Sequence, residues 1–169
     1  MNKVIKTIVT RRSIRKYTEE KIPTETLELL LLAAMNAPSA CNQQAWYFIV
    51  VTDQDKLDKL STLHSGVEFV KNAPAAIIVC SEPNATILDY YWIDECAAAT
   101  QNLLLAAHSL GLGAIWTGIN HENLEDINFY RNILNISDQY TPFAMIPIGH
   151  PAEQRVSVNK YNDKKILWN

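Results

Sequence analysis

The chain has 169 residues, 48% of them apolar and 20% charged, with a net charge of -3. That composition fits one globular domain and excludes a disordered or fibrous chain and a generally basic polyanion binder. No run reaches the ~18 uninterrupted apolar residues of a membrane span. Cys41, Cys80 and Cys96 are odd in number without a C-x-x-C pair, and the four histidines are scattered, so reduced thiols, no structural metal and a soluble cytoplasmic protein are expected.

Val4, Ile5, Ile8 and Val9 recur at helical spacing and predict a short first helix ending near Arg11. Residues 24–36 predict a second helix, with Thr24 as N-cap and Pro38 just past its end. Residues 46–51 (WYFIVV) are the clearest strand, followed by a capping-box pattern at Thr52 and Asp55 for a helix to about Leu63. Residues 75–80 (AAIIVC) are continuously apolar and predict a central strand. Residues 93–110 are too long for a strand and apolar on nearly all sides, which predicts a helix buried all round, with Gly111 as its stop. Burial of that kind in a chain this small points to a second subunit. Residues 113–117 and 143–148 predict further strands around a polar helix at 122–134. No linker divides the chain, so residues 1–169 are expected to form one domain, with 150–169 as an unpatterned tail.

Three segments can carry chemistry. Residues 1–18 hold Lys3, Lys6, Arg11, Arg12, Arg15 and Lys16 and no carboxylate. Within them Arg11, Arg12, Ser13 and Arg15 supply charged bidentate donors and a hydroxyl suited to phosphate. The same run reads equally as a solvated basic face or a weak nucleic-acid contact, although the interleaved aromatics of a nucleic-acid site are missing. Residues 38–46 (PSACNQQAW) form a polar loop that could line a planar ligand or simply connect helix to strand. Cys41 has no histidine nearby in sequence and is not read as a nucleophile. Residues 111–118 (GLGAIWTG) place glycines at both ends of a strand, as structural stops or as points of close backbone approach.

In order and spacing, R-R-S-I-R-K-Y followed by A-P-S-A-x-N-x-Q-x-W-x-F resembles the opening of the FMN-dependent nitroreductase family. The resemblance continues through Asn72-Ala73-Pro74, the run DECAAATQNLLL at 94–105, residues 111–118, and I-G-H-P-A-E at 148–153 to Asn159-Lys160-Tyr161. It implies an α+β fold, a mostly antiparallel central sheet flanked by helices, in an intertwined homodimer with the tail packed on the partner. It also implies bound FMN and transient NAD(P)H. The implied activity is an NAD(P)H-dependent FMN oxidoreductase with ping-pong transfer to a small planar nitroaromatic or quinone-like acceptor. No membrane or nucleic-acid partner is implied.

By the same resemblance Arg11, Arg12 and Ser13 hold the phosphate and ribityl end, Lys160 adds a cation there, and Arg15 reaches the pyrimidine edge of the ring. Pro38, Ser39, Ala40 and Asn42 match the loop that covers the flavin from the other subunit, and Trp116, Thr117 and Gly118 match the segment beside the ring. No catalytic side chain and no metal are required, because the flavin carries the chemistry. Two departures stand out: Ala45 occupies a position often filled by proline, and residues 66–72 offer no clear counterpart of a polar pyrimidine contact. The alternatives are a flavin-binding sensor or carrier without turnover, and a reductive dehalogenase on the same scaffold.

Overall fold

A computed structural model describes residues 1–83 and 86–169. The first helix, α1 (Lys3–Thr10), is capped by Asn2, whose side chain accepts from the Val4 N–H. Helix α2 (Thr24–Met35) starts one residue earlier than its expected cap implies. Pro23 holds the N-cap position, so Thr24 is the first helical residue and makes no side-chain cap. Strand β1 is Trp46–Val51. The cap of α3 (Gln54–Leu60) is Asp53 rather than Thr52, its carboxylate accepting from the Asp55 and Lys56 N–H groups. The helix stops at Leu60, and a 3-10 segment, Ser65–Asn72, follows.

Strand β2 (Ala75–Ser81) is buried at all seven positions. It lies between β1 and β5 (Thr141–Gly149), antiparallel to both. Its alternation explains the continuous apolar run: Ala75, Ile77 and Val79 pack on the layer containing α2 and α4 (Trp92–Ser109), and Ala76, Ile78 and Cys80 on the layer containing α3 and α5 (Leu124–Leu134). Both faces of the sheet are covered, so neither set can be polar, and each fully buried Ile contributes about 1.5–3 kcal/mol. The outer strand beyond β5 is in two pieces, β3 (Gly113–Ala114) and β4 (Thr117–Gly118), in one unbroken register with β5. The ladder lapses between them because Pro147, which accepts from the Ile115 N–H, has no N–H to return.

Helix α4 ends in a Schellman motif: the Leu112 N–H reaches the Ala107 carbonyl and the Gly111 N–H that of His108, with Gly111 at φ 79°. Within the chain this helix is not buried all round. Glu95, Cys96, Ala99, Leu103 and Ala107 face the core, while Leu105 and Ala106 are half-exposed and border an apolar groove of about 430 Å³ against Val4 and Ile8 of α1. The tail bridges Tyr17 at Pro151 and further on carries a short 3-10 turn, and Leu167 and Trp168 are 82% and 85% exposed.

Candidate functional site

After α1 the chain runs across the β3 edge as a strap. Ser13 bridges Ala114 in parallel, the Ile14 N–H donates to the Ala114 carbonyl at 3.1 Å, and the Thr18 N–H to that of His150 at 2.9 Å. Ile14 and Tyr17 are buried, and Arg15 and Lys16 between them point outward. Such an approach is possible because Gly113 and Gly149 have no side chains: a Cβ on Gly113 would lie 2.7 Å from the Ile14 side chain, and one on Gly149 would lie 2.7 Å from Pro74 and 2.8 Å from Tyr17. The Tyr17 hydroxyl donates to the Ile14 carbonyl at 2.6 Å, and burial raises its pKa further above the solvent range.

The strap brings Arg11, Arg12, Ser13, Arg15 and Lys160 to one open cleft of about 330 Å³, together with Arg155. Among the described residues no carboxylate pairs with Arg11, Arg12, Arg15 or Lys160. Partial burial and then the neighbouring Arg12 guanidinium pull the Arg11 pKa below its ordinary value, the signature of a cation lacking a counter-ion. Arg12 differs from its neighbours. Its guanidinium donates to the backbone carbonyls of Val9, Arg11, Val156 and Val158, so four of its five N–H groups tie the tail to the end of α1.

Arg15 also borders a second, larger cleft of about 670 Å³, shared with Lys71 and Asn72. Its guanidinium carbon lies 6.0 Å from the centre of the Phe69 ring. Lys71 and Asn72 supply polar groups that the sequence reading did not find between residues 66 and 72. Their signal was the Asn72-Ala73-Pro74 motif itself, read only as a lead-in to β2. Arg155 was missed because it lies in the unpatterned tail. There its Nε and a terminal nitrogen each sit 2.9 Å from Glu153, whose other carboxylate oxygen accepts from the Arg15 N–H at 2.6 Å. That backbone bond holds the Glu153 carboxyl below its ordinary pKa.

Pro38, Ser39 and Ala40 lie elsewhere, around a pocket of about 200 Å³ with Tyr91 and Asp94; Asn42 is exposed on the same loop. Cys41, Asn42 and Gln44 have φ of 51°, 54° and 52°, values that side chains adopt only when the surroundings impose them. The imposing group is Glu95, 2% exposed, which accepts from the Ala40 N–H at 2.8 Å, the Gln43 amide at 2.7 Å and the Ala45 N–H at 3.1 Å. Trp116 packs edge-on against Phe143, the Thr117 hydroxyl donates to the Met145 carbonyl at 2.6 Å, and Gly118 is exposed. Within one chain, then, the cations share a cleft, and neither the 38–42 loop nor residues 116–118 line it.

Fold and site define an α+β protein with a cationic cleft beside the edge of an antiparallel sheet. The model of the family described as the nitroreductase family matches residues 8–85 and 63–150. A protein of Methanothermobacter thermautotrophicus, provisionally named NADH dehydrogenase/NAD(P)H nitroreductase, is 45% identical over 151 residues, 89% of this chain and 78% of that one. A crystal structure of a protein of the same provisional name from Parabacteroides distasonis superposes with a TM-score of 0.93 at 36% identity, covering 100% of this chain and 99% of the other. A provisionally named nitroreductase of Desulfovibrio desulfuricans, solved in complex with FMN, superposes at 0.86 with 33% identity, covering 100% and 98%. The chain belongs to the nitroreductase family.

Proposed function

We propose that this chain is an NAD(P)H-dependent FMN oxidoreductase that works as a homodimer and reduces a small planar acceptor, nitroaromatic or quinone-like, in a ping-pong cycle. The observation that carries the reading is the cluster of Arg11, Arg12, Arg15 and Lys160, which has no carboxylate partner among the described residues and is continuous through Arg15 with the cleft of Lys71 and Asn72. A phosphate monoester supplies the missing negative charge at Arg11 and Lys160, with the Ser13 hydroxyl as a neutral donor. Arg12 keeps the tail, and with it Lys160, against the cleft. Arg15 and Lys71 hold positive charge at the ring end, where it favours the extra electrons that reduction brings. When bound, FMN supplies the two-electron chemistry between nicotinamide and acceptor.

The dimer rests on apolar surface left open by one chain: Val4, Ile5 and Ile8 on α1, Leu29 and Leu32 on α2, and Leu167 and Trp168 on the tail. Residues 38–42, remote from the cations of their own chain, then serve the partner's cofactor, with Trp116, Thr117 and Gly118 beside the ring. The free thiols of Cys41, Cys80 and Cys96 fit the cytoplasm. Among the described residues no helix is long and apolar enough to cross a membrane.

The test is anaerobic stopped-flow reduction of the FMN-loaded protein by NADH and by NADPH, then reoxidation by quinones, nitroaromatics and haloaromatics. Bleaching by a nicotinamide and recovery with a quinone or nitroaromatic are expected. A yellow protein that no nicotinamide bleaches is instead a sensor or carrier. Reoxidation by haloaromatics alone, with halide release, marks a dehalogenase.

A further inference from the structure

The strained loop at 39–45 is held by Glu95, and Gln43 continues that network outward. Its side-chain oxygen accepts from the Ile87 N–H at 2.9 Å and the Leu88 N–H at 3.1 Å, while its amide nitrogen donates to Glu95 at 2.7 Å and lies 3.4 Å from the Leu88 carbonyl. One side chain thus joins the loop to the turn that carries Tyr90 and Tyr91.

That turn has an unusual surface for a polar connection. Tyr90 is 69% exposed, and its ring centroid lies 4.4 Å from that of Tyr91, tilted by 45°. Tyr91 borders the same small pocket as Pro38, Ser39 and Ala40. Behind it Trp92 is fixed edge-on to His121 and Phe143, with centroids 5.1 and 6.0 Å away, so the start of α4 is anchored while the tyrosines remain outside. Aromatic faces attract planar aromatic ligands through offset or tilted stacking.

We propose that Gln43 and Glu95 are positioning residues that hold Tyr90 and Tyr91 at the loop of residues 38–42 as a platform for aromatic acceptors. The proposal rests on the FMN oxidoreductase reading and assigns the acceptor side of that site. Glu95 sets the loop shape through three hydrogen bonds, and Gln43 suspends the tyrosine turn from the loop. An acceptor without an aromatic face has nothing to gain from the tyrosines and therefore does not sense their loss.

The test uses FMN-loaded dimer with saturating NAD(P)H and two acceptors, the two-ring quinone menadione and the non-aromatic ferricyanide. Tyr90→Ala removes an exposed side chain and leaves the fold intact; Gln43→Ala removes the whole suspension. In both, KM for menadione is expected to rise by up to about tenfold, the most one aromatic pair supplies. In Tyr90→Ala menadione kcat changes by less than about twofold, and ferricyanide turnover is unchanged. Amide exchange at Ile87 and Leu88 accelerates in Gln43→Ala only. An unchanged menadione KM in Tyr90→Ala overturns the proposal, and so does an equal loss toward both acceptors, which marks damage to the cofactor site. Should Gln43→Ala fail to fold, Tyr90→Ala decides alone. A wild-type chain that binds no FMN overturns the underlying reading and the proposal with it. Intact FMN reduction with insensitive acceptor kinetics overturns the proposal alone.

Discussion

Gly113 and Gly149 stand opposite each other in register, on β3 and β5, and each faces a side chain of the same strap, Ile14 over Gly113 and Tyr17 over Gly149. The pair removes two side chains at the place where residues 13–17 cross the sheet edge. The arginine cluster of the site depends on that crossing, because Arg11, Arg12 and Arg15 sit on the strap with Ser13.

Gly113→Ala and Gly149→Ala are therefore expected to act on stability and on cofactor retention together. Overpacking of this kind costs ~1–3 kcal/mol, and the lifted strap spreads the arginines. Chemical denaturation and FMN titration of each variant check this. Full stability with normal FMN affinity in both variants removes the strap from the design of the site.

Arg11→Ala and Lys160→Ala are each expected to weaken FMN retention by ~1–3 kcal/mol, the range for a charge-assisted hydrogen bond. Fluorescence titration measures it, and wild-type affinity in both variants removes the phosphate from this cleft. Arg15→Ala should hold FMN better than those two variants while lowering the reduction potential of the bound flavin. An unchanged potential takes Arg15 away from the ring.

Acidification should loosen the strap in two stages. His108 lies 2.9 Å from the Thr10 hydroxyl, and burial, then Arg11 and Arg12, lower its pKa in the folded chain. The unfolded chain then binds a proton that the folded one refuses, so stability is full above ~6.5, falls as pH drops toward the folded value, and is flat below it. Glu153, also depressed, adds a second loss below ~4.3 as its bond to the Arg15 N–H is given up. His108→Gln should remove the first stage and keep the second. A pH series of thermal melts on the FMN-free protein reads both.

Removal of residues 161–169 takes away the exposed Leu167 and Trp168 together with the final 3-10 turn. In the proposed dimer these side chains pack on the partner and residues 38–42 of the partner complete each site, so the shortened chain is expected to shift toward monomer and to lose FMN. Light scattering at micromolar concentration checks it. A shortened chain that remains fully dimeric assigns the interface to the helices instead.

Much of the fold was legible because its causes are local. The continuous apolar runs of residues 46–51 and 75–80 define strands, and Gly111 stops α4 through its own φ. Misplaced caps came from neighbouring candidates: Thr52 and Asp53 can both cap α3, and only the observed backbone at Asp53 selects the latter. The sequence of helix α4 is apolar on nearly all sides. Its composition does not reveal that Glu95 is buried to satisfy a loop or that Leu105 and Ala106 face an open groove.

By itself the sequence determined the apolar runs of the strands, the arginine cluster and the family motifs, since each is written in residue types a few positions apart. Only the tertiary structure decided how those pieces serve a site. It brought Lys160 and Arg155 to the arginines, turned most of Arg12 toward holding the tail, supplied Lys71 and Asn72 beside Arg15, and bound Glu95 to a loop 55 residues earlier in the chain. The reason is physical. Hydrogen bonds and ion pairs form between groups that packing brings within about 3 Å, and no local pattern encodes which distant residues will meet.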